Sequence, residues 1–211
     1  MKINMINGSP KMSKSNSEAI INKINDRIKD KHEVKIYNFG LNRVENEILE
    51  EIISAEVIIL VFPIYLDCIP ASTLGMLIEL GNFNKLKQKN DLIMYSIVHN
   101  GFLEGKQTGI AFEMIENFCE CSGIQFGGGI GQGASSGFNG AINSIIFKCL
   151  YNNFFNSLEL LIKKIDLKHP FGIKYLSPHI PGFLFKIIGA KVFALRARKY
   201  GLTKKDIMKK L

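Results

Sequence analysis

Apolar runs and stretches of helical period alternate along the first 165 residues. Residues 2–6, 34–37, 57–62, 92–97 and 124–130 read as strands. The first, third and fourth read as continuous apolar runs, the pattern of strands covered by helices on both faces of a parallel sheet. Between them the spacing predicts helices at about 16–29, 45–54, 71–82 and 108–121, and a longer one from about 141 to 164. Five βα units of this size fit an α/β fold: a doubly wound, five-stranded parallel sheet of order 2-1-3-4-5, with a ligand at the switch point between strands 1 and 3.

Pro170, Pro178 and Pro181 end this pattern and mark a linker over 168–182. A last helical stretch follows at 183–200. Its apolar residues, Phe183, Leu184, Phe185, Ile187, Ile188, Val192, Phe193 and Leu195, occupy most of its sides. A helix apolar nearly all round needs cover. The expected cover is the sheet domain or a second subunit, ahead of a membrane surface, because the apolar residues do not gather on one face. The chain therefore divides into a domain at 1–165 and an extension at 166–211.

Charge sharpens that division. Residues 1–162 hold 14 Lys and Arg against 17 Asp and Glu, whereas residues 163–211 hold 13 against 2. The net charge of +8 thus originates in the extension. A basic block attracts anionic partners. In a chain biased towards Lys, Asn and Ile it reads first as a solvated surface, and no nucleic-acid partner is expected. Cys68, Cys119, Cys121 and Cys149 show neither metal-ligand spacing nor a disulfide framework. No metal centre is expected, and the thiols read as reduced and cytoplasmic. Met1-Lys2 leads straight into a strand, with no secretory pattern. The longest apolar runs, 57–66 and 183–195, fall short of the ~20 uninterrupted residues that span a bilayer.

Candidate chemistry sits in the loops at the strand C-terminal ends. Gly8-Ser9-Pro10-Lys11-Met12-Ser13-Lys14-Ser15-Asn16-Ser17 joins strand 1 to the first helix. A helix N-terminus leaves backbone N–H groups unpaired, and its dipole favours an anion. Ser9, Ser13, Ser15, Asn16 and Ser17 add neutral donors, which suit a phosphate that is held rather than transferred. The run is neither a Walker A loop nor a Gly-x-Gly-x-x-Gly turn. It reads either as a phosphate site or as a serine-rich loop capping a helix.

The loop after strand 3, Phe62-Pro63-Ile64-Tyr65-Leu66-Asp67-Cys68-Ile69-Pro70, is apolar and bracketed by prolines. It can wall a flat aromatic ligand, with Tyr65 stacking on it, or simply pack on the next helix. After strand 4, His99 and Asn100 offer hydrogen bonds, and Gly101 permits close backbone approach. After strand 5, Gly131-Gln132-Gly133-Ala134-Ser135-Ser136-Gly137 is a small-residue loop that leaves room for a ligand or forms a surface turn.

Gly8-Ser9-Pro10-Lys11 closing in Ser15-Asn16-Ser17, followed at strand 3 by Phe62-Pro63-Ile64-Tyr65, resembles the flavodoxin-like NAD(P)H-dependent FMN reductases. That superfamily includes quinone reductases, azoreductases and iron–sulfur flavoproteins. The resemblance spans about residues 1–165 and implies a flavodoxin-like fold. It implies that Ser9, Lys11, Ser15, Asn16 and Ser17 grip the FMN phosphate. Pro63, Ile64 and Tyr65 would line the isoalloxazine ring, and Asn100, Gly101 and Phe102 its other edge. It also implies a homodimer with the flavin near the subunit interface. No Cys-x-x-Cys-x-x-Cys cluster is present, which points away from the iron–sulfur branch, and the chain has no Trp.

The function so implied is an FMN-dependent oxidoreductase, in which NAD(P)H reduces bound FMN and electrons pass to a quinone, azo, nitro or flavin acceptor. No catalytic side chain is assigned, because the flavin carries the redox chemistry. Two other readings stand beside it. One is a one-electron carrier without NAD(P)H turnover of its own. The other is a flavin-free interaction module that docks through the basic extension.

Overall fold

The computed structural model describes residues 1–11, 14–39, 45–87, 91–138, 145–203 and 206. Six parallel strands form one sheet: β1 (Lys2–Asn7), β2 (Glu33–Asn38), β3 (Val57–Pro63), β4 (Ile93–His99), β5 (Gln125–Gln132) and β6 (Gly172–Leu176). Their order is β2-β1-β3-β4-β5-β6. The described helices are α1 (Asn16–Ile28), α2 (Asn46–Ile53), α3 (Ala71–Lys87), α4 (Gly109–Ser122), α5 (Ile145–Leu150), α6 (Asn152–Asp166) and α7 (Gly182–Arg198).

The first five strands take the expected order. The sixth corrects the five-strand expectation, and it lies inside the segment read as a linker. Its physical basis is backbone pairing with a glycine-rich neighbour, in the register Gly128 to Gly172 through Gln132 to Leu176. Gly128 (φ 92°) and Gly172 (φ 73°) face each other in the left-handed region, and a Cβ on Gly128 would overlap the Gly172 backbone. Such a pair carries no side-chain alternation, so five residues between Pro170 and Pro178 leave no strand pattern to read.

Two apolar layers hold the sheet. On one face, α1 presents Ile20, Ile21, Ile24 and Ile28 at helical spacing, beside Leu158, Leu161 and Ile165 of α6. They pack on Ile3, Met5, Val57, Ile59, Val61, Tyr95 and Ile97. On the other, α2, α3 and α4 cover Ile6, Ile58, Leu60, Phe62, Met94 and Val98. All seven residues of β3 and of β4 are buried, as continuous runs require. β1 departs from a purely apolar run at Asn4. Its fully buried amide donates to the carbonyls of Glu51 (2.9 Å) and Ile52 (3.1 Å), near the end of α2, where helix carbonyls lack intrahelical donors.

The helix expected over 141–164 is two. Residues 139–144 lie outside the described residues, and α5 and α6 meet at Tyr151 (φ −111°, ψ 20°). The Tyr151 ring is buried against Phe138, and its hydroxyl donates to the Ala134 carbonyl at 2.7 Å.

The chain forms two compact units, Met1–Pro178 with the sheet and His179–Leu211 with α7. Taken by itself the second unit has one described helix, with Phe183, Ile187, Phe193 and Leu195 exposed. No helix among the described residues is long and apolar enough to cross a membrane.

Burial pushes the Cys119 thiol in α4 up to about 12, with Glu116 adding to the shift. Thiol reactivity follows thiolate content and exposure. An alkylating reagent at mildly alkaline pH is therefore expected to label the exposed Cys68 and Cys121 and spare Cys119, as read by mass spectrometry of native and unfolded protein.

Candidate cofactor site

Sheet register brings the chemistry-bearing loops to one edge. Asn7 pairs with Val61, Pro63 with His99, and His99 with Gln132, so β1, β3, β4 and β5 release their loops side by side.

The loop after β1 is held down from its start. The Gly8 N–H donates to the Val61 carbonyl at 2.9 Å, and Thr73 Oγ1 donates to the Gly8 carbonyl at 2.6 Å. A Cβ at Gly8 would stand 2.8 Å from Thr73 Oγ1 and 2.9 Å from Phe62 Cβ, so the backbone runs too close to α3 and β3 for a side chain. Asn7 Oδ1 accepts from the Ser9 N–H (3.1 Å), and Ser9 Oγ accepts from the Lys11 N–H (3.3 Å). Lys11 Nζ donates to the Lys14 carbonyl at 3.1 Å, and Lys14 sits at φ 53°. Ser15 is the N-cap of α1: its Oγ accepts from the Glu18 N–H at 3.0 Å. The N–H groups of Asn16 and Ser17 then have no intrahelical acceptor. No acidic residue occurs between Gly8 and Ser17, and Glu18 follows within the first turn of α1. Ser13 lies outside the described residues.

The side chains of Asn16 and Ser17 have partners across the site. Asn16 Nδ2 donates to the Ser135 carbonyl at 2.8 Å. Ser17 is fully buried, and its Oγ lies 2.9 Å from His99 Nε2. Nδ1 of the same ring lies 3.0 Å from Ser135 Oγ. Complete burial pushes the His99 ring down to about 4, so it is neutral at pH 7.

After β3, Pro63 and Ile64 are buried, and the Ile64 N–H donates to the His99 carbonyl at 2.9 Å. Tyr65 and Cys68 exchange both backbone hydrogen bonds, at 3.0 and 3.1 Å, around a two-residue turn. Leu66 (φ 49°) and Asp67 (φ 60°) make that turn in the left-handed region usually filled by Asn and Gly. It carries Tyr65, 54% exposed, and Leu66, 98% exposed, out of the protein.

After β4, the Asn100 N–H donates to the Gln132 carbonyl (3.0 Å), and its Nδ2 donates to the Glu104 carbonyl (3.1 Å). Gly101 and Phe102 are exposed. The loops after β4 and β5 interlock: the Ser135 N–H donates to the Asn100 carbonyl at 2.7 Å, and the Ala134 N–H donates to the Phe102 carbonyl. Asn100 Oδ1 and Gln132 Oε1 are buried without a donor.

The expected loops therefore converge, with Ser9, Lys11, Ser15, Asn16 and Ser17 on the first, Pro63, Ile64 and Tyr65 on the second, and Asn100, Gly101 and Phe102 on the third. Sequence reasoning missed Thr73, which pins Gly8, and treated Ser135 and Gln132 only as parts of a flexible loop. The signal for Ser135 was weak: it is one serine among small residues, and its partners are 36 and 119 residues away. Among the described residues no group of three His, Cys, Asp or Glu could hold a metal.

The arrangement fits a phosphorylated heteroaromatic group. First-turn N–H groups without an intrahelical acceptor suit the anion, and exposed Tyr65 and Phe102 suit a flat ring.

No protein-family model matches the chain, and no curated protein sequence matches it. Solved structures share its fold, which is flavodoxin-like. An FMN-dependent NADH-azoreductase from Bacillus anthracis, solved in complex with FMN, superposes with a TM-score of 0.55 at 12% identity, over 78% of this chain and 99% of its own. The apo form of an NADH:FMN oxidoreductase superposes with a TM-score of 0.52 at 13% identity, over 76% of this chain and 89% of its own.

Proposed function

We propose that this chain is an FMN-dependent oxidoreductase of the NAD(P)H-dependent FMN reductase superfamily, passing electrons from NADH or NADPH to a small-molecule acceptor. The carrying observation is the convergence, at the switch point of the sheet, of the first turn of α1 with the loops that bear Tyr65 and Phe102. Fold likeness to an azoreductase and to an NADH:FMN oxidoreductase supports the reading, as does the resemblance in residues 8–17 and 62–65.

FMN, when bound, supplies hydride acceptance and onward electron transfer. The protein's residues bind and orient. The Asn16 and Ser17 N–H groups and the Lys11 ammonium would hold the phosphate. Pro63, Ile64 and Tyr65 would line one side of the ring, and Asn100, Gly101 and Phe102 the other. No side chain is required to move a proton, and the one buried histidine at this edge has both ring nitrogens engaged by serines. Acceptor class, a quinone, azo, nitro or flavin compound, would depend on the space above the ring. Exposed Tyr65, Leu66 and Phe102 favour a homodimer in which a second copy covers that space and excludes water.

The test is the absorbance spectrum of protein incubated with FMN and desalted, then treated anaerobically with NADPH or NADH. Retained flavin bands that bleach at once support the reductase. Bands that persist unbleached replace it with the electron carrier, and failure to retain flavin overturns both.

A further inference from the structure

We propose that His99 is a positioning residue for the phosphate end of this site: through Ser17 and Ser135 it locks the first turn of α1 to the loop after β5. The proposal rests on the FMN reading above and adds to it the device that aims the anion-binding N–H groups.

Four hydrogen bonds close a circuit. Ser17 Oγ meets His99 Nε2 at 2.9 Å, His99 Nδ1 meets Ser135 Oγ at 3.0 Å, Asn16 Nδ2 donates to the Ser135 carbonyl at 2.8 Å, and the Ser135 N–H donates to the Asn100 carbonyl at 2.7 Å. Asn16 and Ser17 are the first two residues of α1, whose backbone N–H groups are the unpaired donors. The Asn16 side chain bonds the loop after β5 directly, and the Ser17 side chain reaches it through His99 at the end of β4. Ser17 and His99 are 82 residues apart, and His99 and Ser135 are 36 apart, so the circuit fixes elements that chain connectivity leaves independent.

The chemistry of the ring suits the task. Burial keeps it neutral at pH 7, so it carries one N–H and one lone pair. One serine therefore donates to the ring and the other accepts from it, and both nitrogens of this buried residue, 3% exposed, are satisfied. A rigid imidazole spans two hydroxyls on opposite sides, whereas a flexible amide would not hold their separation. With both nitrogens engaged by serines, the ring is not available as an acid or base. Ser17, fully buried, acts here as the anchor of the turn, and the anion is left to the backbone N–H groups and Lys11.

The test compares dissociation constants for FMN and for riboflavin, which lacks the phosphate, in wild type, Ser17→Ala, Ser135→Ala, His99→Gln and Ser17→Ala/Ser135→Ala, with circular dichroism to confirm folding. Ser135→Ala and His99→Gln are expected to weaken FMN about tenfold and to leave riboflavin within about twofold, since only the phosphate end loses its aim. The double variant is expected to be no weaker than the worse single one, because either substitution opens the same circuit. The ring 15N signals of His99 in Ser17→Ala are expected to shift at Nε2 while the ring stays neutral. An unchanged FMN-to-riboflavin ratio in folded Ser135→Ala overturns the proposal, and with it any effect of Ser17→Ala becomes direct contact. If His99→Gln does not fold, the two serine variants decide. Wild-type protein that binds neither flavin overturns the cofactor reading, and this proposal with it.

Discussion

Gly129→Ala is expected to destabilise the folded state severely. Gly129 lies in β5 opposite Ser96 of β4, and a Cβ built there would overlap the Ser96 carbonyl oxygen and stand 3.0 Å from Phe112 Cε1. The obstacle is backbone in the middle of the sheet, so no rotamer change relieves it. β4 would have to part from β5 at the point where both are fully buried. Relief by displacement costs the ladder hydrogen bonds on either side and opens the Ile97 and Ile130 layer. That combination belongs with the rare single substitutions that cost more than about 4–5 kcal/mol, a large share of the roughly 5–15 kcal/mol of an ordinary domain. Urea unfolding followed by circular dichroism measures it. The control is Gly75→Ala in α3, an exposed helical position where a new Cβ meets nothing within 4 Å. There alanine is expected to raise stability by about 0.5–1 kcal/mol. Equal effects at the two sites would show that strand β5 does not approach β4 as closely as described.

Asn16→Asp is expected to strip the protein of FMN while leaving it folded. The amide Nδ2 that donates to the Ser135 carbonyl is replaced by a carboxylate oxygen, which can only face that carbonyl as a second acceptor. The same change puts a negative charge beside the N–H groups proposed to hold a phosphate dianion. The helix itself tolerates the substitution, since an acid in the first turn is favourable to the dipole. Loss of one good hydrogen bond and addition of a like charge at short range together predict at least about a 100-fold weaker affinity. Equilibrium titration of flavin fluorescence reads the affinity, and thermal unfolding without flavin reads the fold. Stoichiometric retention of FMN by the variant would place the phosphate elsewhere than at α1.

These two expectations draw on parts of the chain that were unequally legible. β3 announces itself because burial on both faces leaves no polar position in Val57-Ile58-Ile59-Leu60-Val61-Phe62, and the isoleucines of α1 recur at helical spacing. The anion turn could be read because capping chemistry is local: Ser15, three residues ahead of Glu18, is enough to start the helix. β6 could not be read, because its pairing surface is the bare backbone of a glycine-rich strand. The direction of the Ser17 hydroxyl could not be read either. A serine suits a phosphate and an imidazole equally, and only the arrival of His99 at the end of β4 separates the two. That histidine closes a strand otherwise dominated by large apolar residues, at the edge where ligands bind, and this was its visible signal. The Leu66–Asp67 turn was hidden for the opposite reason, since Asp67 tolerates the left-handed region that the fold imposes but Leu66 does not favour it.

The division at Pro178 has a colloidal consequence. Residues 1–178 hold 18 basic and 18 acidic side chains, so the sheet-bearing unit stands close to its isoelectric point at neutral pH, while the remaining 33 residues carry the whole excess of +8. Copies of the unit alone would have little long-range repulsion to keep them apart. In the intact chain that repulsion comes from the second unit, and it fades as salt shortens its reach to about 10 Å at 0.1 M. The charge that keeps copies apart and the loops that form the candidate site thus lie on different stretches of one polypeptide.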